Sequence, residues 1–223
     1  MLRVGLTGGL GSGKSTAVRL FASHGAHILQ ADSIGRELME PGQTVYAAIV
    51  DYFGSSVVLP DKRLDRTALA KIAFADGRVE ELNAIVHPAV IARETALSAA
   101  IAAHTPDAIV IVESALIFET KYGGLSGADK KPWRNRFDRI ILVTAPEEVK
   151  IARFVARSAS GNAISEAHMV DLEAEARRRL AQQISDEQKS ALCDYVLTNG
   201  GALSELEWQV DQLWPILQTA AEQ

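Results

Sequence analysis

The sequence predicts an α/β fold: a five-stranded parallel sheet flanked by helices, with a helical insertion and a helical lid. Three observations predict it. Five short apolar runs alternate with helical segments, the first run passes through a glycine-rich turn straight into a helix, and two long helical stretches interrupt the alternation. At 223 residues, 48% apolar and 23% charged, the chain has the make-up of a globular protein able to bury one substantial core.

"LRVGLT" (2–7) reads as a buried strand, and "KSTAVRLFASHG" (14–25) as a helix that Gly25 ends in a left-handed cap. "AHILQAD" (26–32) is the second strand, and a right-handed crossover sets it parallel to the first. The other strands are "AIVIVES" (108–114), "RIILVTA" (139–145) and "DYVLTNG" (194–200). Between the second and third strands lies more helical sequence than a simple crossover needs: "IGRELME", "TVYAAIVDYF", "RTALAKIAFA" and the stretch from Arg78 to His104. The Pro41–Gly42 turn and Pro106 bound it, and Pro88 either starts a helical segment or kinks a longer one. A second excursion, from Pro146 to Lys189, has "SASGN" (158–162) as a flexible break between two helices and suits a mobile lid. "GGLSGADKKPWRN" (123–135) reads as an exposed loop.

Composition excludes several classes. The net charge of −5 argues against general affinity for nucleic acid or an anionic membrane. A single cysteine, Cys193, rules out an intramolecular disulfide and a cysteine-rich metal site, which suits a reducing cytoplasm. The opening apolar run leads into the glycine turn rather than to a cleavage site, and no 18-residue apolar span is read in the sequence, so no secretory signal and no membrane crossing are expected.

Gly8, Gly13, Lys14 and Ser15 satisfy G-x-x-x-x-G-K-[ST] after a strand and at the start of a helix. Across Gly8, Gly9, Gly11, Ser12, Gly13, Lys14, Ser15 and Thr16, backbone N–H groups can converge on phosphate oxygens at a helix amino end. Lys14 then reaches the outer phosphates and Ser15 offers a hydroxyl to Mg²⁺. This is the turn of a P-loop NTPase fold, and ATP is the expected phosphate source. No N-K-x-D guanine motif accompanies it; "DYFG" (51–54) lies in a helical context, and "LSGAD" (125–129) is only half of a transporter-ATPase signature. Asp32 stands at the carboxyl end of the second strand, beside the expected γ-phosphate. Two readings stand for it: receiving a hydroxyl proton from an acceptor alcohol, or capping the next helix.

The residues resemble the dephospho-coenzyme A kinase family, which phosphorylates the ribose 3′-hydroxyl of dephospho-CoA. The likeness rests on "VGLTGGLGSGKST" (4–16), "ADSIGRELMEPG" (31–42), "LNAIVHPAV" (82–90) and "ALIFE" (115–119), in the family's order. Arg153 with Arg157, "RLAQQIS" (179–185), Lys189 and "DYVLTNGG" (194–201) are weaker echoes. The resemblance implies that residues 11–16 bind ATP and Asp32 is the catalytic acid/base. It also implies that the insertion holds the coenzyme A moiety and the segment after Pro146 is the lid. Three departures stand out. Gln30 replaces the family's usual aspartate, Ala115 replaces a proline, and the regions 124–136 and 158–177 look long.

With Gln30 neutral, metal contact falls to Ser15, Asp32 and Glu113; Glu113 reads either as a water-mediated Mg²⁺ contact or as a cap or solvated strand end. Asn83 either touches substrate or caps a helix break, and His87 packs or positions substrate. Arg153 and Arg157, four apart on one helix face, either close over ATP phosphates or form a solvated basic face. Trp133, Trp208 and Trp214 read as packing or surface aromatics, and Arg179 as the member of the "RRR" run that matches the family. The expected division is a nucleotide-binding core (1–40, 105–145, 190–223), an acceptor-binding insertion (41–104) and a lid (146–189). The expected protein is a cytoplasmic monomer or weak homo-oligomer that transfers the ATP γ-phosphate to dephospho-CoA. A kinase of another small metabolite, such as a nucleoside monophosphate or sugar acid, and a non-catalytic ATP-binding module are the alternatives.

Overall fold

A computed structural model describes residues 1–119, 132–159 and 165–223. The five strands are β1 (Leu2–Thr7), β2 (His27–Gln30), β3 (Ile109–Glu113), β4 (Arg139–Thr144) and β5 (Tyr195–Thr198). They pair in the order β2-β3-β1-β4-β5, all parallel. The central strands are buried on both faces, which is why they read as continuous apolar runs rather than as alternation. From β1 the chain goes out to β2 and β3 on one side and later to β4 and β5 on the other. A crevice therefore opens at the carboxyl end of β1, where ligands of such sheets bind.

One sheet face packs on α1 (Lys14–Ser23) and the last helix, α9 (Leu203–Ala221), through Val4, Leu6, Phe21, Leu206 and Val210. The other face carries Val112, Ile117, Phe118, Phe137 and Ile140, with Trp133 edge-on to Phe118. Trp214 stacks on His24, whereas Trp208 is exposed. The α1 terminus follows the glycine expectation. Gly25 has φ 104°, its N–H donates to the Ala22 carbonyl (3.0 Å), and the Ala26 N–H donates to that of Phe21 (3.1 Å).

After β2 come α2 (Ala31–Leu38), α3 (Thr44–Phe53), α4 (Arg66–Ala70) and the long α5 (Val79–His104). These helices close on their own apolar cluster, with Val45, Ile49, Val57, Leu64 and Leu69 at its centre. The insertion is not wholly helical. An antiparallel bridge joins Val58 to Leu64 across a tight turn in which Lys62 has φ 69°, and a π-turn (Lys71–Ala75) follows α4. Asp65 starts α4 by accepting from the Thr67 and Ala68 N–H groups at 2.9 and 3.0 Å. Pro88 lies inside α5, so of the two readings it occupies a longer helix rather than starting one.

One expectation is corrected here: α5 is long and apolar enough, by length and a mean hydropathy of 1.2, to pass a spanning test. Only part of that apolar length is covered in the fold. It packs against α2 and α3, and Glu94 midway along it is buried in an ion pair with Arg136 (2.9 Å), a group poorly suited to a bilayer centre.

The remaining helices are α6 (Glu147–Ser158), α7 (Glu166–Ala181) and α8 (Asp186–Ser190). α6 and α7 pack through Ile151, Phe154 and Ala176, and Ser165 caps α7 by accepting from the His168 N–H. Of the loop expected at 123–135, residues up to 131 lie outside the described residues and Pro132–Asn135 form a 3₁₀ turn. Of the break expected at 158–162, residues from 160 on likewise lie outside them.

Candidate active site

The glycine turn between β1 and α1 is shaped by what presses on it. Gly11 (φ 71°) and Gly13 (φ 92°) hold left-handed backbone, and a Cβ would drive Gly11 into the Lys150 carbonyl and Gly13 into the Asn199 amide. A Cβ at Gly8 would meet the Val143 carbonyl and the Ser12 hydroxyl, while Gly9 has ordinary room. The turn is also tied from outside. The Asn199 Nδ2 donates to the Ser12 carbonyl (2.9 Å), and the Leu10 N–H donates to Gln183 Oε1 (3.1 Å). The buried Lys150 ammonium pairs with Asp186, which also accepts from the Thr144 hydroxyl. The loop is thus held in shape by the residue after β5, by α6 and by the turn into α8, with the Leu10 and Ser12 N–H groups used inside the protein and its helix-entry N–H groups facing the crevice end of β1.

Lys14 curls back over the loop and donates to the Gly8 and Gly9 carbonyls at 3.0 and 3.2 Å. Burial pushes its ammonium below the usual lysine range. Glu113 and Asp32 pull it back up, whereas Lys189 and Arg157 push it further down. Those four charges therefore surround the Lys14 head, two of each sign.

Asp32 is an exposed residue in the first turn of α2, and neither it nor Gln30 makes a side-chain cap bond. The helix-cap reading of Asp32 is therefore not what the structure has. Asp32 lines a cavity of about 960 Å³ bounded by α2, α4, α5 and the exit of β3. Asn83, His87, Ser114 and Arg136 line the same cavity, so the acid and the two candidate substrate contacts share one space. Glu113, half-buried at the end of β3, accepts a hydrogen bond from Gln30 Nε2 at 2.9 Å.

The two arginines of α6 part company. Arg153 donates to the Asn199 carbonyl (2.8 Å) and is engaged with the wall of the glycine turn; Arg157 lies over the Phe154 ring and within electrostatic reach of Lys14. Arg179 pairs with Glu175 (2.6 Å) and faces the same Phe154 ring. Lys189 is fully buried, 3.1 Å from Glu119, and brings "ALIFE" against α8. Asn199 and the Glu94–Arg136 pair are site-bordering groups that the sequence did not single out. A polar residue directly after a strand that ends at the crevice was the signal available for Asn199; the ion pair had none.

His87 carries a pH expectation. Burial, aided by Arg136, pushes its imidazole below 6.5, with Glu80 opposing. The folded state therefore favours the neutral ring, while the unfolded chain takes up a proton below about pH 6.5. The stability so gained is present above pH 6.5 and is lost as pH falls from there toward the depressed folded value. His87→Gln is expected to flatten the fall in urea midpoint between pH 7 and pH 5; an unchanged slope would exclude His87 as its source.

Among the described residues no three His, Cys, Asp or Glu side chains converge as a metal-holding group. The candidate metal contacts from the protein, the Ser15 hydroxyl and the Glu113 carboxylate, are hard oxygens, the donor type that suits Mg²⁺.

The comparisons with known proteins agree with this geometry. A family model described as dephospho-CoA kinase matches residues 2–205. A dephospho-CoA kinase of Streptomyces avermitilis is 39% identical over 224 residues, which span 100% of this chain and 97% of that protein. A solved structure from Thermus thermophilus is 30% identical with a TM-score of 0.72, covering 97% of each chain. The dephospho-CoA kinase of Campylobacter jejuni, at 21% identity and a TM-score of 0.63 over 98% of each chain, shares the fold.

Proposed function

The chain belongs to the dephospho-CoA kinase family, ATP-dependent phosphotransferases that complete coenzyme A, and on that premise we propose how its own residues carry the transfer. The observation that carries the proposal is the double placement of Asp32, which is a wall of the acceptor cavity and also within electrostatic reach of Lys14. A group there faces an acceptor hydroxyl on one side and the phosphate donor on the other.

In this proposal the ATP phosphates lie along the backbone N–H groups of residues 8–16, with the Lys14 ammonium moving from the Gly8 and Gly9 carbonyls onto the β- and γ-phosphates. The cavity takes dephospho-CoA with its ribose 3′-hydroxyl toward Asp32, and Asn83 and His87 on α5 hold the acceptor. The 3′-oxygen attacks the γ-phosphorus in line, the bond from that phosphorus to the bridging oxygen breaks, and ADP leaves. The hydroxyl proton passes to the Asp32 carboxylate. Mg²⁺ would supply positive charge to the transferring phosphates, and the Ser15 hydroxyl and the Glu113 carboxylate are the residues that would hold it. Arg157 adds charge from α6, while Arg153 supports the loop through Asn199. Residues 41–104 act as the acceptor-binding unit and 146–189 as the lid that excludes water, a division supported by the separate apolar cluster of the insertion. The chain's single cysteine and its biosynthetic substrate suit the cytoplasm.

A cavity of about 960 Å³ favours a large nucleotide acceptor over a nucleoside monophosphate or sugar acid. The direct test is Mg²⁺-dependent ADP release with dephospho-CoA, AMP and gluconate as competing acceptors, with the product's mass measured. Stimulation by dephospho-CoA with phosphate added at the 3′ position is expected. Stimulation by another acceptor, or ATP binding with no stimulation at all, would overturn the acceptor assignment.

A further inference from the structure

We infer that Gln30 is a positioning residue: its side-chain amide holds the Glu113 carboxylate in place at the phosphate-transfer site and keeps it from collapsing onto Lys14. The inference rests on the reading of Glu113 as a group that helps hold the metal ion of MgATP.

Gln30 and Glu113 are direct register partners at the carboxyl ends of the parallel pair β2 and β3, so their side chains leave the sheet together. Gln30 Nε2 donates to Glu113 Oε2 at 2.9 Å. A carboxylate only accepts, so the amide nitrogen must face it and the amide oxygen must turn away. That oxygen accepts from the Ser33 hydroxyl at 3.4 Å, in the first turn of α2 and adjacent to Asp32. A chain of donors thus runs from the turn that carries Asp32 through Gln30 to the end of β3, with both ends of the amide in use.

Two consequences follow from charge. Glu113 is the foremost of the charges that favour the Lys14 ammonium. A carboxylate free to swing would be drawn into an ion pair with that ammonium and would remove it from the phosphates. The Gln30 donor occupies one carboxylate oxygen and leaves Oε1 for a water or ion. It also does so without adding a negative charge. A carboxylate at position 30 would lie directly across from Glu113, where like charges repel, and close to the incoming triphosphate.

The test uses the full chain and reads binding rather than turnover. Free Mn²⁺ is counted by electron paramagnetic resonance in titrations of the protein with ATP, and metal-free ATP binding is measured in EDTA by calorimetry. Four proteins are compared: the unmodified chain, Gln30→Met, Glu113→Gln and the double variant. Gln30→Met keeps the length and loses the donor, and Gln30→Ala repeats the deletion at an exposed position should methionine misfold. Gln30→Met is expected to weaken Mn²⁺ in the ATP complex by ~10-fold, the usual scale for removing the partner that orients a metal-holding group. Metal-free ATP binding should weaken as well, because the freed carboxylate competes for the Lys14 ammonium, but by less than the Mn²⁺ affinity. Once Glu113→Gln is present, Gln30→Met should add nothing further. Unchanged Mn²⁺ affinity in Gln30→Met, or the same loss with and without Glu113, would overturn the inference. If Glu113→Gln itself leaves Mn²⁺ affinity intact, the metal reading of Glu113 fails and takes the inference with it. Neither result depends on which acceptor the cavity takes.

Discussion

Asp32→Asn is expected to lower kcat for dephospho-CoA by on the order of 10² to 10⁴ while leaving ATP affinity within a few-fold. The amide keeps the size and polarity of the side chain but cannot take the hydroxyl proton. Asp32 is exposed at the cavity wall and makes no cap bond, so loss of its first-turn charge costs α2 at most about 1 kcal/mol, too little to account for such a fall in kcat. Asp32→Ala should cost no less, and both should melt within a few degrees of the unmodified chain. The measurement is steady-state kinetics with dephospho-CoA varied at saturating MgATP, alongside ATP binding by calorimetry. A kcat within tenfold of the unmodified chain would remove Asp32 from proton transfer and return it to orienting the acceptor.

The sheet and the glycine turn were legible because their signals are local. Strands buried on both faces read as unbroken apolar runs, as in "AIVIV" and "RIILV", and the spacing of Gly8, Gly13, Lys14 and Ser15 is meaningful within one turn. The insertion was legible as helical in bulk but not in detail. The Val58–Leu64 bridge is a single contact with no strand on either side, and Pro88 left a helix start and a longer helix equally open. The bounds of α5 were legible, since the helical stretch read from Arg78 to His104 is the helix Val79–His104; that it is apolar enough to pass a spanning test was not.

The supports of the site were not legible, for a topological reason. Asn199 and Ser12 are 187 residues apart, Gln183 and Leu10 are 173 apart, and Gln30 and Glu113 are 83 apart. Each pair meets only once the strand order is known, and no spacing rule links them beforehand. Gln30 illustrates the point: in the sequence it is a missing carboxylate, and in the structure it is the donor to the carboxylate across from it. Arg153 and Arg157 share a helix face as their spacing requires, yet the Asn199 carbonyl engages one and not the other.

Lys14→Met is expected to reduce kcat/KM for ATP by on the order of 10³, the scale of one charged donor lost from a phosphoryl-transfer site. The methionine stem fills much the same volume, so the melting temperature should hold and the loss should follow the ammonium alone. Lys14→Arg should rescue poorly. The lysine head is a compact point charge held between the Gly8 and Gly9 carbonyls, a geometry a longer planar fork does not reproduce, and Arg157 and Lys189 already act on it as like charges. A second signature separates charge from shape. Burial pushes the Lys14 ammonium below the ordinary lysine range, so kcat/KM should decline on the alkaline side at a lower pH than an ordinary lysine would impose. Bound phosphates favour the charged form, so the same limb in kcat should lie at higher pH. The measurement is a pair of pH profiles, kcat/KM and kcat, for the unmodified chain and Lys14→Arg. Identical alkaline limbs in both proteins would assign the decline to another group, and a Lys14→Met protein within tenfold of the unmodified chain would show that the backbone N–H groups alone stabilise the transferring phosphate.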